Sequence, residues 1–230
     1  MRHLVIGMGQ IGSAIAQVLE GDVEMLDKKP EANFKKVDVI HICFGYTSQF
    51  VREVKRYQKK YNPTLIIIYS TVPVGTTKKI PNAVHSPVEG RHPRLLVSVK
   101  RGMRFIGYND KRKGLLARDV WQNITPYQLI QNSDYTEFLK LASTAKYGIN
   151  LVFADYVNEV CSKLGMDYGL VKDWDREYNK LYKSLSLGQF QKFVLDPPGG
   201  HIGGHCVVPN AFLLDKQFSH AMLKMIKEME

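Results

Sequence analysis

Short apolar runs alternate with amphipathic stretches through the first half of the chain, and this alternation predicts strands joined by helices. The predicted strands are residues 3–6, 23–26, 37–44 and 65–69, with shorter candidates at 83–85 and 104–107, and the predicted helices between them include 13–20 and 48–60. Strands that alternate with helices form βαβ units, whose parallel sheet is covered on both faces. The pattern therefore predicts an α/β domain over residues 1–130.

In the second half the alternation stops around residues 125–131, and a long helical pattern follows. Between Asp134 and Leu164 the apolar residues keep a helical period without a proline, which predicts a helix roughly 45 Å long. Asp134 followed by Glu137 resembles a capping box at its start, and Gly165 suits its end. We expect a mainly helical domain over residues 131–230, built around this central helix. Its apolar residues cover more than one face, which predicts a homodimer interface.

Composition is that of a globular protein. Hydrophobic residues make up 44 % of the chain, but the longest apolar runs, residues 65–69 and 149–156, are far shorter than the roughly 20 residues that span a bilayer. The N-terminus shows no signal-peptide cleavage pattern, so we expect a cytoplasmic protein with no membrane partner. The net charge of +10 is spread over short basic runs without a nucleic-acid-binding signature, so we expect no nucleic acid partner. Cys43, Cys161 and Cys206 lack the paired spacing of a disulfide framework.

The first chemical signal is the segment Gly7-Met8-Gly9-Gln10-Ile11-Gly12, which follows a predicted strand and opens a helix. In a dinucleotide-binding turn the first glycine permits the tight bend, the second lets a pyrophosphate approach, and the third allows close helix–strand packing. Asp27 follows at the end of the next strand, at the offset where a carboxylate binds the ribose diol. We therefore predict a Rossmann dinucleotide-binding domain. The charge of Asp27 favours NAD over NADP, while Lys28 and Lys29 oppose that preference.

The second signal is a glycine-rich stretch, residues 197–206, that ends at Cys206. Its four glycines indicate a loop whose backbone wraps closely around another group, and residues 211–218 are predicted to form a helix after it. A helix N-terminus lowers a thiol pKa, so Cys206 is a candidate nucleophile; the alternative is a small buried hydrophobic residue. A zinc site formed by His201, His205 and Cys206 is a further alternative, but there is no second ligand pair at the usual spacing and we expect no metal.

Several segments, in order, resemble the nucleotide-sugar 6-dehydrogenases, the family of the UDP-glucose and GDP-mannose dehydrogenases. Besides the glycine motif they are Ser70-Thr71-Val72-Pro73-Val74-Gly75-Thr76, Ser86-Pro87-Val88-Glu89-Gly90, Lys140-Leu141-Ala142 with Asn158-Glu159 downstream, and Gly203-Gly204-His205-Cys206. The His-Cys form of the last segment is most similar to the branch that oxidises UDP-N-acetylhexosamines. The resemblance implies oxidation of a sugar C6 alcohol to the acid in two hydride transfers to NAD.

The same resemblance implies roles for individual residues. The Cys206 thiolate would add to the intermediate aldehyde, and the thiohemiacetal would lose a second hydride to give a thioester. Lys140 would stabilise negative charge on oxygen, and Thr71 would orient water or substrate near the nicotinamide. Glu89 is the carboxylate nearest to the family's water-activating glutamate, although its spacing from Pro87 does not match cleanly. The predicted cofactor site also takes in Lys28, Tyr46 and Thr71, and the predicted substrate site comprises Lys140, Gly203 and Gly204.

Three departures from the family pattern keep alternatives open. Thr144 stands where the family has an asparagine, and Asn210 stands where it has an aspartate, so both are counted among the candidate catalytic positions. The sequence ends at Glu230, whereas family members continue into a C-terminal UDP-binding domain, which we expect this chain to lack. One alternative is a catalytically degraded NAD-binding subunit, or half of a split dehydrogenase whose nucleotide-binding domain is a separate chain. Another is a single oxidation, as in the related β-hydroxyacid dehydrogenases, which use a lysine but no cysteine.

Overall fold

A computed structural model describes residues 1–27, 36–90, 94–203 and 206–230. The chain divides into two compact units, Met1–Lys140 and Leu141–Glu230. The strands are β1 (Arg2–Ile6), β2 (Asp22–Leu26), β3 (Val39–Ile42), β4 (Leu65–Ile68), β5 (Ala83–His85), β6 (Arg104–Tyr108) and β7 (Tyr127–Gln131). The helices are α1 (Gln10–Ala16), α2 (Phe50–Tyr61), α3 (Leu95–Arg101), α4 (Lys111–Trp121), α5 (Ser133–Leu164), α6 (Tyr168–Ser184), α7 (Val207–Gln217) and α8 (Ala221–Lys227).

The first unit is built on one sheet with the strand order β2-β1-β3-β4-β5-β6-β7. Neighbouring strands are parallel except β5 and β6, which are antiparallel. After β1 the chain adds β2 on one side and then crosses to place β3 on the other side. The topological switch point therefore lies between β1 and β3, and open α/β sheets bind ligands at the carboxyl ends of such strands. The predicted α/β fold class is confirmed.

Two apolar clusters cover the two faces of this sheet. In β4, Leu65 and Ile67 belong to one cluster, while Ile66 and Ile68 belong to the other, as the alternation of side chains along a strand requires. All four residues are fully buried. A strand that is buried on both faces reads as a continuous apolar run, and for this reason the sequence located β4 well.

The strand–helix alternation continues further than the sequence predicted. Residues 127–131, where we expected it to stop, form β7, which pairs in parallel with β6. This strand lies at the edge of the sheet, and three of its five residues are exposed. A half-exposed edge strand carries polar residues and lacks the apolar run that marks a central strand. The helices α3 and α4 were also absent from the predicted elements.

The long central helix is confirmed, but the predicted capping box is wrong. Asn132 caps α5, because its side-chain oxygen accepts a hydrogen bond from the Asp134 N–H at 3.0 Å. The Glu137 carboxylate accepts hydrogen bonds from Gly75 and Thr77, and these contacts are distant in sequence. Gly165 ends the helix as predicted, with φ +67° and with the next N–H, that of Met166, donating to the Cys161 carbonyl at 2.9 Å.

In the second unit, α7 begins at Val207, four residues before the predicted start. Pro209 lies in its first turn, where a helix tolerates proline because the N–H groups there have no partner within the helix. Cys206 consequently occupies the residue directly before the helix. In the described parts of the chain, no helix is both long enough and apolar enough to cross a membrane.

Candidate functional site

The loops after β1 and β3 touch at the switch point. Gly7 follows β1 with φ +103°, and its N–H donates to the Leu26 carbonyl at 2.8 Å. A Cβ atom at Gly7 would lie 2.8 Å from the backbone of Cys43 and Phe44. Only a residue without a side chain allows both this conformation and this approach.

The glycine turn is tight on one side and open on the other. A Cβ atom at Gly12, on α1, would lie 1.8 Å from the Gly7 carbonyl oxygen, so helix and turn are in direct backbone contact. A Cβ atom at Gly9 would meet no atom within 4 Å. Met8, Gly9 and Gln10 are exposed, and Ile11 is half-buried. The exposed backbone around Gly9 therefore leaves room for a bound phosphate group.

Other predicted cofactor residues lie at the same edge of the sheet. Asp27 is exposed directly after β2, whose residue Leu26 pairs with Ile6 of β1. Tyr46 follows β3, half-buried, with its ring 5.6 Å from that of Phe50. Thr71 follows β4 and is also half-buried. Lys28 lies outside the described residues.

The segment that carries Thr71 is fastened to its neighbours by polar contacts. The Ser70 hydroxyl donates to the Phe44 carbonyl at 2.6 Å. The Nε2 atom of His85 lies 3.1 Å from the Ser70 carbonyl, and its Nδ1 atom lies 2.9 Å from the Thr136 hydroxyl. Because a carbonyl can only accept, we assign the imidazole proton to Nε2. Burial lowers the pKa of His85 to about 4, so the ring is neutral at pH 7.

Lys140 and Glu89 lie side by side in the first unit. The Lys140 ammonium donates to the Val88 carbonyl at 2.9 Å and lies 3.6 Å from a Glu89 oxygen. The Lys140 side chain is mostly buried, whereas that of Glu89 is 52 % exposed. The structure therefore brings together two of the candidate catalytic residues, at the end of the segment that follows β5.

The second unit holds the candidate cysteine. Cys206 is exposed at the start of α7, while Cys161 on α5 is buried. Gly203 is exposed, and Gly204 and His205 lie outside the described residues. No cluster of three potential metal-ligating side chains occurs within the described ranges.

Thr144 and Asn210, the two residues that depart from the pattern of the similar family, are in contact with each other. The Asn210 amide nitrogen lies 3.3 Å from the Thr144 hydroxyl, which joins the first turn of α7 to α5. Asn210 is buried, and its N–H donates to the Cys206 carbonyl at 3.1 Å. A buried amide and a half-buried hydroxyl, both neutral, thus form a pair beside the cysteine.

Sequence reasoning did not identify the contacts of two buried carboxylates, Asp155 and Glu137. Asp155 of α5 accepts hydrogen bonds from the Gly199 N–H at 2.8 Å and from the Gly200 N–H at 3.1 Å, which holds the glycine-rich loop against the helix. Glu137 holds the segment after β4 in a similar way. The sequence did contain a signal: an acidic residue among the apolar positions of a helix needs a polar partner when it is buried.

The chain is similar to curated proteins and to solved structures. It is 23 % identical over 210 residues to a UDP-N-acetyl-D-mannosamine dehydrogenase of Methanococcus maripaludis, a match that covers 86 % of this chain and 44 % of that protein. A second, from Methanococcus vannielii, is 22 % identical and covers 92 % and 52 %. The resemblance to nucleotide-sugar dehydrogenases is confirmed. The chain spans about half the length of these relatives.

Solved structures share the fold. The UDP-D-ManNAc dehydrogenase of Pyrococcus horikoshii superposes with a TM-score of 0.80 at 18 % identity, over 100 % of this chain and 68 % of that one. The 3-hydroxyisobutyrate dehydrogenase of Mycobacterium tuberculosis has a TM-score of 0.72 at 13 % identity, over 98 % and 90 %. No protein-family model matches the sequence.

Proposed function

We propose that this chain is the catalytic part of an NAD-dependent dehydrogenase that oxidises the C6 alcohol of a UDP-N-acetylhexosamine towards the acid. The observation that carries the proposal is the similarity of most of the chain to UDP-N-acetyl-D-mannosamine dehydrogenases. The glycine turn at the switch point supports it, because that position holds dinucleotides in open α/β sheets.

The residues at the edge of the first unit fit NAD. The open backbone at Gly9 would receive the pyrophosphate, and the Asp27 carboxylate would accept hydrogen bonds from the ribose diol. Thr71 and Tyr46, at the ends of the adjoining strands, would line the remainder of the site. NAD, when bound, accepts a hydride at each oxidation.

Two side chains would act on the sugar. The Lys140 ammonium, held by the Val88 carbonyl and by Glu89, would stabilise negative charge that develops on the C6 oxygen. The Cys206 sulfur would bond to the aldehyde carbon, and loss of hydride from the resulting thiohemiacetal would leave a thioester. Water would then cleave the C–S bond, which releases the acid and regenerates the thiol. The exposure of Cys206 supports this role, since a nucleophile must reach its substrate.

The pair formed by Thr144 and Asn210 favours a second candidate, an NAD-binding subunit without turnover. Neither side chain can carry a charge or exchange a proton as a carboxylate does. In this case the protein binds NAD, and oxidation of the sugar requires a partner chain.

The experiment is to measure NADH absorbance after mixing the chain with NAD and a panel of UDP-sugars. We expect two NADH per UDP-N-acetylhexosamine, at most one with Cys206→Ser, and an unchanged yield with the control Cys161→Ala. One NADH from the unmutated chain would instead indicate a single alcohol oxidation. NAD binding in calorimetry without NADH formation would favour the second candidate, and absence of NAD binding would overturn both.

Cofactor preference provides an independent check of the same site. We expect NAD to bind more tightly than NADP, and Asp27→Ala to narrow the gap, because the carboxylate repels a 2′-phosphate. Tighter binding of NADP by the unmutated chain would contradict the role of Asp27.

A further inference from the structure

Glu137 lies in the second turn of α5 and is completely buried. One carboxylate oxygen accepts a hydrogen bond from the Gly75 N–H at 2.6 Å. The other accepts from the Thr77 N–H at 2.7 Å and from the Thr77 hydroxyl at 2.6 Å. Both oxygens are therefore occupied by donors from one short stretch of chain.

That stretch, residues 70–77, follows β4 and carries Thr71 near its start. Its first residue, Ser70, is fixed by the Phe44 carbonyl and by His85, at the ends of β3 and β5. Gly75 has φ +85°, and the Thr76 hydroxyl donates to the Pro73 carbonyl at 2.6 Å, so the far end of the segment turns sharply. Glu137 holds this far end, and the ends of neighbouring strands hold the near end.

The same part of α5 carries Lys140, one turn after Glu137, so both side chains project from nearby positions on the helix. Thr136 joins this helix to His85 of β5. The ammonium of Lys140 contacts the Val88 carbonyl beyond β5. Glu137 thus connects the helix that carries Lys140 directly to the 70–77 segment that carries Thr71, and an ion pair between Lys78 and Asp134 lies next to this connection.

The 70–77 segment supplies the hydrogen-bond donors that stabilise the charged form of the Glu137 carboxyl group. Burial raises the pKa of its carboxyl group, and the interactions that oppose this rise come from Thr77 and Gly75. Asp134 adds repulsion, which also raises the pKa. Hydrogen bonds to a buried carboxylate are among the stronger ones in proteins, and a buried acceptor that loses its donors is costly.

We infer that Glu137 is a positioning residue for the reaction proposed above: it holds the segment that carries Thr71 at a fixed distance from the helix that carries Lys140. The inference rests on the proposed function. It goes beyond it because Glu137 is completely buried and both its oxygens accept hydrogen bonds from the protein, so its role would be exerted without contact to the sugar or the cofactor.

The test compares the 230-residue chain with Glu137→Gln and with Glu53→Gln, a control that removes a carboxylate from α2 in the same unit. Glutamine offers one acceptor oxygen and presents an NH₂ group to a backbone N–H, so part of the contact is lost. In hydrogen exchange without substrate, we expect the amides of Gly75 and Thr77 to exchange at least about tenfold faster in Glu137→Gln. With NAD and UDP-N-acetylmannosamine, we expect kcat to fall at least about tenfold while KM changes less than about threefold.

Glu137→Asp keeps two acceptor oxygens but withdraws them by one methylene. We therefore expect the exchange rates of the Gly75 and Thr77 amides, and kcat, to lie between those of the unmutated chain and those of Glu137→Gln. The same variant provides the test if Glu137→Gln does not fold. The Glu53→Gln control should match the unmutated chain in both measurements. Unchanged exchange in Glu137→Gln and Glu137→Asp would overturn the inference, and so would faster exchange with unchanged kcat, which would leave a purely structural contact. If the unmutated chain produces no NADH, the proposed function fails and the inference fails with it, and that outcome is distinct because exchange is measured without substrate.

Discussion

At the scale of single residues, the three cysteines lie in three different environments. Cys206 is exposed and directly precedes α7, whereas Cys161 is buried on α5. Burial raises the pKa of the Cys43 thiol, which disfavours the reactive thiolate there. Access therefore favours Cys206 over the buried Cys161, and the raised pKa disfavours Cys43; neither argument depends on the proposed reaction.

We predict that Cys206 is alkylated first. Limited treatment of the native chain with iodoacetamide, followed by peptide mass mapping, should label Cys206 at least about tenfold faster than the other two thiols, because the reagent needs an accessible thiolate. Denatured protein provides the control, in which the three rates should converge. Preferential labelling of Cys43 or Cys161 in native protein would count against a nucleophile at position 206.

The buried residue His85 is expected to make the folded protein less stable in acid. His85 is fully buried, and its pKa is lowered from 6.5 in the unfolded chain to about 4. Between these pH values the unfolded state binds more protons than the folded state. The contribution of His85 to the free energy of unfolding is therefore fully present above pH 6.5 and is lost as pH falls towards about 4. The loss from this one group is on the order of 3 kcal/mol. Burial also lowers the pKa values of His3 and His41, which adds to the effect.

Urea unfolding of the unmutated chain and of His85→Gln, at a series of pH values from about 7.5 to about 4, checks this prediction. The amide of glutamine does not titrate, so the variant should lose less stability between the two ends of the series. Glu137, whose raised pKa acts in the opposite sense, contributes equally to both proteins. If the free energy of unfolding falls equally steeply with pH in the two proteins, His85 is not the group responsible.

At the scale of elements, the start of α5 packs directly on β6. Gly107 makes this possible, because a Cβ atom there would lie 2.2 Å from the Thr136 hydroxyl and 2.9 Å from the Ser133 Cα. Thr136 and Glu137 follow on the helix, where Thr136 contacts His85 at the end of β5 and Glu137 holds the segment after β4. The close contact between Gly107 and the start of α5 therefore brings Thr136 and Glu137 within hydrogen-bond distance of their partners.

We predict that Gly107→Ala destabilises the protein by about 1–3 kcal/mol, the usual cost of overpacking, because the neighbouring Cα cannot move without shifting the helix. Gly45→Ala is the matched control, since its added Cβ would meet no atom within 4 Å. Denaturant unfolding of both variants measures the difference. Equal stability of the two variants would mean that α5 can shift at no cost.

At the scale of the whole molecule, the second unit exposes large apolar side chains. Phe153 and Tyr156 on α5 are 63 % and 60 % exposed, and Trp174 on α6 is 72 % exposed. The 17-residue helix α6 has no buried residue at all. Surfaces of this kind are rare on monomers and usually mark an interface, so we propose that a second copy of the chain covers them.

We predict that the chain is a homodimer in light scattering at micromolar concentration. Phe153→Asp combined with Tyr156→Asp should shift it towards monomer, because two charges would then be buried at the interface without partners. Lys163→Glu, an exposed change on the same helix, should leave the dimer intact. A monomeric unmutated chain would contradict the interface.

What the sequence determined by itself was local. Continuous apolar runs located the buried strands, the helical period located α5, and the spacing of Gly7, Gly9 and Gly12 placed a tight glycine turn before a helix. These features follow from residue periods and from backbone freedom, which are properties of neighbouring residues. The resemblance of short motifs to nucleotide-sugar dehydrogenases was also available from the sequence.

Only the tertiary structure decided what the polar residues contact. Glu137 reads as a capping residue in the sequence, yet it binds amides about sixty residues away, at Gly75 and Thr77. Asn210 and Thr144 are separated by a similar length of chain and still form one pair. The edge strand β7 was missed because its half-exposed residues lack an apolar run. A buried polar group must find a partner, but the folding of the whole unit brings that partner near, and no local pattern records it.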